Sequence, residues 1–297
     1  MPKKAVLASI ILIFVLSGGG NSFASLPDSY EGARPMGMGG AFVAVADDPN
    51  AVFYNPAGLG FLKGTKIDLT YVIDNDISLL AEDLVISQFL GDYGCIGIGV
   101  CYERDYESAP SHAVIEISDS SSHFLLSYSK AINQSISFGV NYRTTARSIL
   151  TNTVWHRWES EQAAGSGIDL GFLNKISDKL TAGIFASNLL NSGLTWDSGA
   201  KEAIYSKIKT GVAYKTLEDK LLLSIDINYQ LDEASLNLGG EYEALEWLFL
   251  RGGYNSEQDR DGALSIGLGL KGGFCGLDLA YLSGNEKMNY VSLNINW

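Results

Sequence analysis

From residue 65 onward, apolar side chains recur at every second position over stretches of about ten residues. The segment KIDLTYVI places Ile67, Leu69, Tyr71 and Ile73 on one face. SISFGVNYR sets Ile136, Phe138, Val140 and Tyr142 against Ser137, Gly139, Asn141 and Arg143, and LLLSIDINYQ sets Leu223, Ile225, Ile227 and Tyr229 against Ser224, Asp226 and Asn228. A repeat of two fits a strand with one apolar and one polar face, and it fits no helix. About fourteen such segments follow one another, at 65–73, 83–90, 93–104, 121–129, 135–147, 165–175, 179–188, 204–215, 220–230, 235–244, 246–255, 263–271, 274–283 and 289–297, the second having the weakest alternation. Two architectures use such strands. A soluble sandwich turns the apolar faces inward between two sheets. A transmembrane barrel turns them outward to lipid and keeps a polar lumen.

Three observations favour the barrel. Tyrosines end the apolar faces of successive strands: Tyr71, Tyr102, Tyr128, Tyr142, Tyr214, Tyr229, Tyr242, Tyr254 and Tyr281. A ring with a polar tip suits the headgroup level, where barrels carry aromatic girdles. Connections alternate in length, with long gaps at 105–120, 148–164 and 189–203 and tight turns of about two to five residues between them. The chain ends on a strand, YVSLNINW, that puts Val291, Leu293, Ile295 and the terminal Trp297 on one face. Such an aromatic-ended strand resembles the element by which outer-membrane barrels are recognised for assembly, so barrel-assembly machinery is an expected partner. The fold expected is an all-β transmembrane antiparallel barrel of about 14 strands, with lipid around it and both termini on the periplasmic side.

The first residues fit export. Lys3 and Lys4 precede an apolar run from Ala5 to Leu16, too short to span a bilayer as a helix, and Ser22 and Ala24 suit a small-x-small cleavage site. The expected division is a signal peptide over 1–24, an N-terminal segment over 25–62 and the barrel over 63–297, located in the outer membrane. Removing residues 1–24 takes away two Lys and no acid, so the formal charge moves from −13 to −15. That balance argues against nucleic acid as a partner. Cys95 and Cys101 share one strand about 20 Å apart and cannot bridge each other. With Cys275 they read as three unpaired thiols.

Little in the barrel sequence carries chemistry. GLGLKG at 267–272 matches a dinucleotide fingerprint, but a strand stands where the motif needs a helix. The three histidines, His112, His123 and His156, lack metal-ligand spacing. Ser122 and His123 are strand neighbours on opposite faces and cannot act together. No catalytic residue, metal or cofactor is expected, and the chain does not read as an enzyme. Lumen-side Gly97, Gly99, Gly139, Gly171, Gly183 and Gly267 leave room for something inside. One exterior loop, SILTNTVWHRWESEQ, is unusual in carrying Trp155, His156, Arg157 and Trp158. Trp155, Arg157, Trp158 and Trp196 form a candidate capture site for an amphiphile, rings on the tail and guanidinium on a carboxylate. The alternative is that these residues simply fold the loop onto Trp196. Tyr71, Tyr102, Tyr142, Tyr229, Tyr281 and Trp297 are the expected membrane girdle.

Ahead of the strands stands ARPMGMGGAFVAVADDPNAVFYNPAGLG, residues 33–60. Asp48 can cap a short helix starting at Pro49, and Pro56 forces Asn55 out of helical backbone. One or two turns presenting Val52 and Phe53 cannot fold alone, so the segment must dock, and the lumen is the available wall. This stretch, with NPAG at Asn55–Gly58, resembles the N-terminal signature of PorV/PorQ-like proteins, relatives of the FadL family of outer-membrane channels. The resemblance implies a hatch inside a fourteen-strand barrel, with Asp48, Pro49, Asn55, Pro56 and Gly58 as its motif. It further implies passage of hydrophobic molecules across the outer membrane. The alternative it carries is a PorV-like shuttle with secreted protein clients in type IX secretion.

Overall fold

The computed structural model describes residues 31–74, 80–107, 114–153, 158–231, 233–256, 262–284 and 287–297. The leader, its expected cleavage after Ala24, residues 25–30, and Trp155, His156 and Arg157 lie outside the described residues.

Sixteen strands form one sheet: β1 (Thr65–Asp74), β2 (Leu80–Phe89), β3 (Cys95–Glu107), β4 (Val114–Ala131), β5 (Ile136–Thr153), β6 (Glu159–Lys175), β7 (Leu180–Leu189), β8 (Leu194–Trp196), β9 (Lys201–Glu202), β10 (Lys207–Thr216), β11 (Leu221–Gln230), β12 (Glu233–Leu245), β13 (Leu248–Asn255), β14 (Ala263–Lys271), β15 (Cys275–Ser283) and β16 (Lys287–Asn296). β8 and β9 are a small hairpin standing on β6. The other fourteen run antiparallel to their neighbours, β7 pairs with β10, and β1 pairs with β16 from Lys66↔Asn296 to Asp74↔Met288. The sheet is thereby a closed barrel with no free edge, as a wall facing hydrocarbon requires.

The wall is inside-out relative to a soluble protein. On β11, Leu223, Ile225, Ile227 and Tyr229 are 45%, 51%, 52% and 48% exposed, whereas Ser224, Asp226 and Asn228 are at most 2% exposed. The same inversion holds around the circumference, from Phe138 and Leu170 to Ile266 and Leu293. Exposed aromatics gather towards the two ends. Tyr93, Tyr128, Tyr214, Tyr242, Trp247 and Trp297 lie by the rim of short turns, and Tyr71 and Tyr229 lie towards the opposite rim. Tyr142 is exposed part-way up β5, while Tyr102 and Tyr281 are half-buried.

Two of the expected long connections turn out to be mostly strand. β3 runs on to Glu107 and β4 begins at Val114; β5 continues to Thr153 and β6 begins at Glu159. Parts of these extensions are polar on both faces (Ser118 to Ser120, Glu159 to Gln162), which breaks the alternation, yet the ladder continues through Asp119↔Ile149 and Ile149↔Glu161. Above the apolar band water surrounds a strand, and polar side chains on both faces cost nothing. The third connection, 190–206, is a true excursion carrying β8 and β9. It begins where β7 peels off β6 at a register shift between Ile168 and Leu170, with Asn188 and Leu190 in left-handed backbone (φ 56° and 48°).

An Ile225→Arg variant distinguishes lipid from water as the outer solvent. In lipid vesicles it is expected to lower the free energy of unfolding in denaturant by about 2–4 kcal/mol, as a charge near the bilayer midplane does, whereas an exposed site in water would register almost nothing.

Candidate functional site

Residues 33–60 lie inside the barrel, and among them only Arg34 and Asp47 rise above full burial. Three short pieces make up this hatch: a helix at Ala33–Gly37, a single turn at Ala51–Tyr54 and a 3-10 stretch at Pro56–Phe61. None could persist in water alone, and they are held by burying Met36, Met38, Phe42, Val52 and Leu59, each at most 1% exposed. Each such side chain contributes roughly 1.5–3 kcal/mol. Phe42 packs edge-on against Tyr54, whose hydroxyl donates to the Glu31 carbonyl at 2.9 Å.

The lumen glycines are the seat for this segment. Gly97 and Gly99 on β3 lie under Val52, Phe53 and Leu59, where an added methyl would come within 2.8–3.1 Å of them. Gly139 on β5 and Gly171 on β6 admit the Pro56–Ala57 backbone and the Asn55 amide so closely that a Cβ would overlap them. Space left on the wall is therefore filled by the hatch itself.

Asn55 is the pivot of the neutral attachment. Its backbone is extended (φ −169°), its Oδ1 accepts from Ala57 N–H at 3.2 Å, and its Nδ2 donates to the Val43 carbonyl at 2.9 Å and the Phe172 carbonyl of β6 at 3.0 Å. One amide thus joins the motif's own turn, the earlier turn of the hatch at Val43 and the barrel wall. Neighbouring wall residues add to it. Asn141 donates to the Val52 carbonyl at 2.8 Å and to Asp169, and Ser129 donates to the Ala57 carbonyl at 3.2 Å. Asp169 also receives Arg143 at 2.9 Å and the Asn188 N–H at 2.9 Å. On the other side Asp226 accepts from Val43 N–H and Ser292 accepts from Ala33 N–H, both at 2.8 Å.

A second attachment is ionic and sits at the short-turn end. Arg34 donates from Nε and NH2 to the two oxygens of Glu241 at 2.8 and 2.9 Å, and from NH1 to Asp47 and Asp48 at 2.5 and 2.9 Å. Glu241 also accepts from Arg251 at 2.7 Å, Arg251 reaches Asp278 at 2.5 Å, and Asn294 donates to Asp278 at 2.7 Å. Residues of four strands, β12, β13, β15 and β16, are thereby joined to the hatch through one ionic chain. Burial pushes the Asp48 carboxyl above its ordinary value, and Arg34 pulls against that. Asp48 does not cap a helix beginning at Pro49. The helix starts at Ala51, and Asp48 Oδ1 accepts from Asn50 N–H at 2.8 Å while its other oxygen faces Arg34. Pro49 lies in the turn before that helix, and Gly58 follows in the 3-10 stretch with its Cα directly beneath the Ala46 carbonyl. Arg34, Glu241, Arg251 and Asp278 were not among the residues the sequence singled out. For the three wall residues a trace was available: charged side chains on the inward register of strands, next to Gly239, Gly253 and Gly276.

Around the ionic chain the barrel mouth is hollow. Three adjoining cavities of about 390, 490 and 340 Å³ surround Asp47, which lines all of them. They end against the packed hatch.

Of the exterior tryptophan set, Trp158 and Trp196 fall among the described residues. Trp196, on β8, lies under the Arg147 guanidinium at 5.6 Å from its centroid, and Arg147 pairs with Asp119 and Glu202 at 2.8 and 3.2 Å. Trp158 is 47% exposed in left-handed backbone, and Trp155 and Arg157 lie outside the described residues. Among the described residues, no group of three or more His, Cys, Asp or Glu is placed to hold a metal. His123 pairs with Thr145 across the ladder at 2.9 Å, and all three cysteines are unbridged.

A closed fourteen-strand antiparallel barrel with its own N-terminal segment folded into the lumen defines a class of hatched barrels. Among solved structures, the chain is similar to the Ralstonia pickettii toluene transporter TbuX at 14% identity, covering 90% of this chain and 98% of that one with a TM-score of 0.70. It is similar to the P. putida toluene transporter TodX at 14% identity, covering 91% and 99% with a TM-score of 0.68. A Pseudomonas aeruginosa FadL homologue matches at 12% identity over 93% and 100% with a TM-score of 0.62. These likenesses establish a FadL-like barrel fold. No protein-family model matches the sequence, and no curated protein matches it.

Glu241→Leu leaves both Arg34 and Arg251 short of a partner in a buried setting, a loss of about 3 kcal/mol or more. Hydrogen exchange of the hatch amides is expected to speed by roughly 100-fold or more, with the strand ladders unchanged. Gly139→Ala is expected to displace the Pro56–Ala57 turn and give the same exchange pattern in a barrel that still assembles.

Proposed function

We propose that this chain is an outer-membrane channel for small hydrophobic molecules, in which the hatch formed by residues 33–60 is the gate. One observation carries the reading. Among the described residues the hatch makes no backbone ladder with the wall; side-chain hydrogen bonds and one ionic chain hold it. A plug held this way can move without unzipping the barrel, whose ladder is complete without it. The wall offers mostly small and polar groups, so the apolar lining of a path comes from the hatch itself, through Val52, Phe53 and Leu59 over the glycines of β3. The fold shared with toluene transporters and a FadL homologue supports the same reading. In this reading the leader is removed after Ala24, the outward apolar band meets lipid, the short turns face the periplasm, and the C-terminal strand is read by the assembly machinery. Trp158 and Trp196, with Trp155 and Arg157, remain candidates for first capture of a ligand at the exterior. No catalytic role is assigned to any residue. The shuttle alternative, a PorV-like carrier of secreted clients, is supported by the front signature around NPAG and by no other observation.

The test is uptake of radiolabelled toluene and of a long-chain fatty acid by cells displaying the chain in an outer membrane whose polysaccharide leaflet blocks free entry. Wild type is expected to exceed a vector control. Ala57→Cys with Ser129→Cys, oxidised to fix the hatch to β4, is expected to fall to the control rate and recover on reduction. Wild-type uptake equal to the control, with the barrel present at the surface, would sink the channel reading.

A further inference from the structure

The arginines and lysines of this chain are used differently. Arg34, Arg143, Arg147 and Arg251 are each tied to carboxylates. By contrast Lys63, Lys66, Lys175, Lys179, Lys215, Lys220 and Lys271 make no ion pair among the described residues, and all seven line the hollows at the short-turn mouth. Four of them occupy one structural position. Lys66, Lys175, Lys215 and Lys271 are the inward-facing residues at the short-turn ends of β1, β6, β10 and β14. Their side chains point into the mouth rather than out to surrounding headgroups, as that of Lys130, on the outer face of β4, does.

The lining of these hollows has a basic excess. Outside the ionic chain its carboxylates are Asp178, Asp219 and Glu243, four fewer than the lysines, while the chain itself carries two more acids than bases. The lining thus carries two more basic than acidic side chains in a protein of formal net charge −13, with Asp92, Glu218 and Glu246 on the turns beyond it. Between the lysines lie apolar patches from Phe61, Leu173, Leu222 and Phe249, with Lys175 and Lys63 resting on Phe61 and Phe89 at 3.8 and 3.9 Å. Lys66, Lys215, Lys220 and Lys271 line one hollow, and Lys63, Lys175 and Lys179 line the two beside it, so a ligand confined to one hollow does not meet all seven. A ligand that does must be extended and carry several carboxylates.

We propose that this mouth is a docking surface for a soluble protein that presents an acidic segment with apolar residues among its carboxylates. Ammonium groups without a carboxylate partner, on flexible stems, steer and hold such a partner without a fixed geometry, and the attraction weakens with salt. In the periplasmic orientation proposed above, the partner stands where a molecule that has passed the hatch would leave. The docking itself does not depend on what passes, and binding to the purified barrel is measured without transport.

The test uses full-length protein in detergent and a fluorescent decaglutamate peptide, with decaglutamine as the neutral control. Wild type is expected to bind decaglutamate and not decaglutamine, more weakly as NaCl rises. Lys66→Gln/Lys175→Gln/Lys215→Gln/Lys271→Gln is expected to bind at least tenfold more weakly, with its heat-modifiable gel mobility showing that the barrel is folded. Lys130→Gln/Lys201→Gln, which removes charge elsewhere, is expected to stay within twofold of wild type. Zero-length carbodiimide coupling of the peptide, mapped by mass spectrometry, should fall on the mouth lysines. Equal binding by wild type and the quadruple variant, an equal loss in the control variant, or coupling centred on Lys130 and Lys201 would overturn the proposal. So would full competition by inorganic phosphate at equal carboxylate-to-phosphate ratio, or loss in the quadruple variant of binding to phosphatidylglycerol vesicles alone.

Discussion

A backbone amide facing hydrocarbon has no water to bond, so a strand wall there must pair every N–H and C=O within itself. In this chain that condition is met by a single seam, β1 on β16, and everything else follows from the ring it completes. Once the sheet is closed, one face of every strand is committed to the outside and the other to a lumen. Polar residues, including Asp226, Asn141 and Ser292, are confined to the inner face, where each needs a partner. The hatch supplies several: Val43 N–H for Asp226, the Val52 carbonyl for Asn141 and Ala33 N–H for Ser292. A polar-lined tube and a turn-rich plug satisfy each other's hydrogen bonds.

The two attachments of the plug differ in kind and lie on different parts of the wall. Towards β4, β5 and β6 the bonds are neutral and centre on amides and hydroxyls, above all Asn55 and Asn141. Towards β12, β13 and β15 they are charged, and Glu241 is shared by two guanidinium groups. Neutral bonds inside a dry lumen are insensitive to ionic strength, whereas the ionic chain opens onto hollows that water and salt enter. Movement of the hatch would therefore begin from the ionic side, with the Asn55 side acting as the hinge.

Much of this was legible in the sequence, and the reasons for the rest are physical. Strand faces and the number fourteen followed from the period-two repeat, because residues such as Ile225 and Ser224 sit in opposite media. The location of the hatch followed from its inability to fold alone and from the glycines opposite it. What alternation could not give was the height of β3 to β6, since Ser118 to Ser120 lie in strand where both faces are polar. Nor could it give the ionic chain. Arg34 stands more than two hundred residues from Glu241, and only closure brings them together. Asp48 makes a cap-type contact to Asn50 N–H ahead of the Ala51–Tyr54 helix, and its other oxygen meets Arg34, a contact no local pattern contains. The contact of Trp196 with Arg147 likewise joins residues that only the fold brings together.

The hatch also bears on how such a ring comes to be closed. The seam joins the first strand of the wall to the last, so its formation must overcome the entropy of bringing two distant ends of the chain together. Residues 33–60 are made before any strand, and they touch Ser129, Gly139 and Phe172 in the first half of the barrel and Glu241, Ser265 and Ser292 in the second. A segment that binds both halves brings β1 and β16 nearer before the seam forms, so closing the ring costs less loop entropy than closing an empty one.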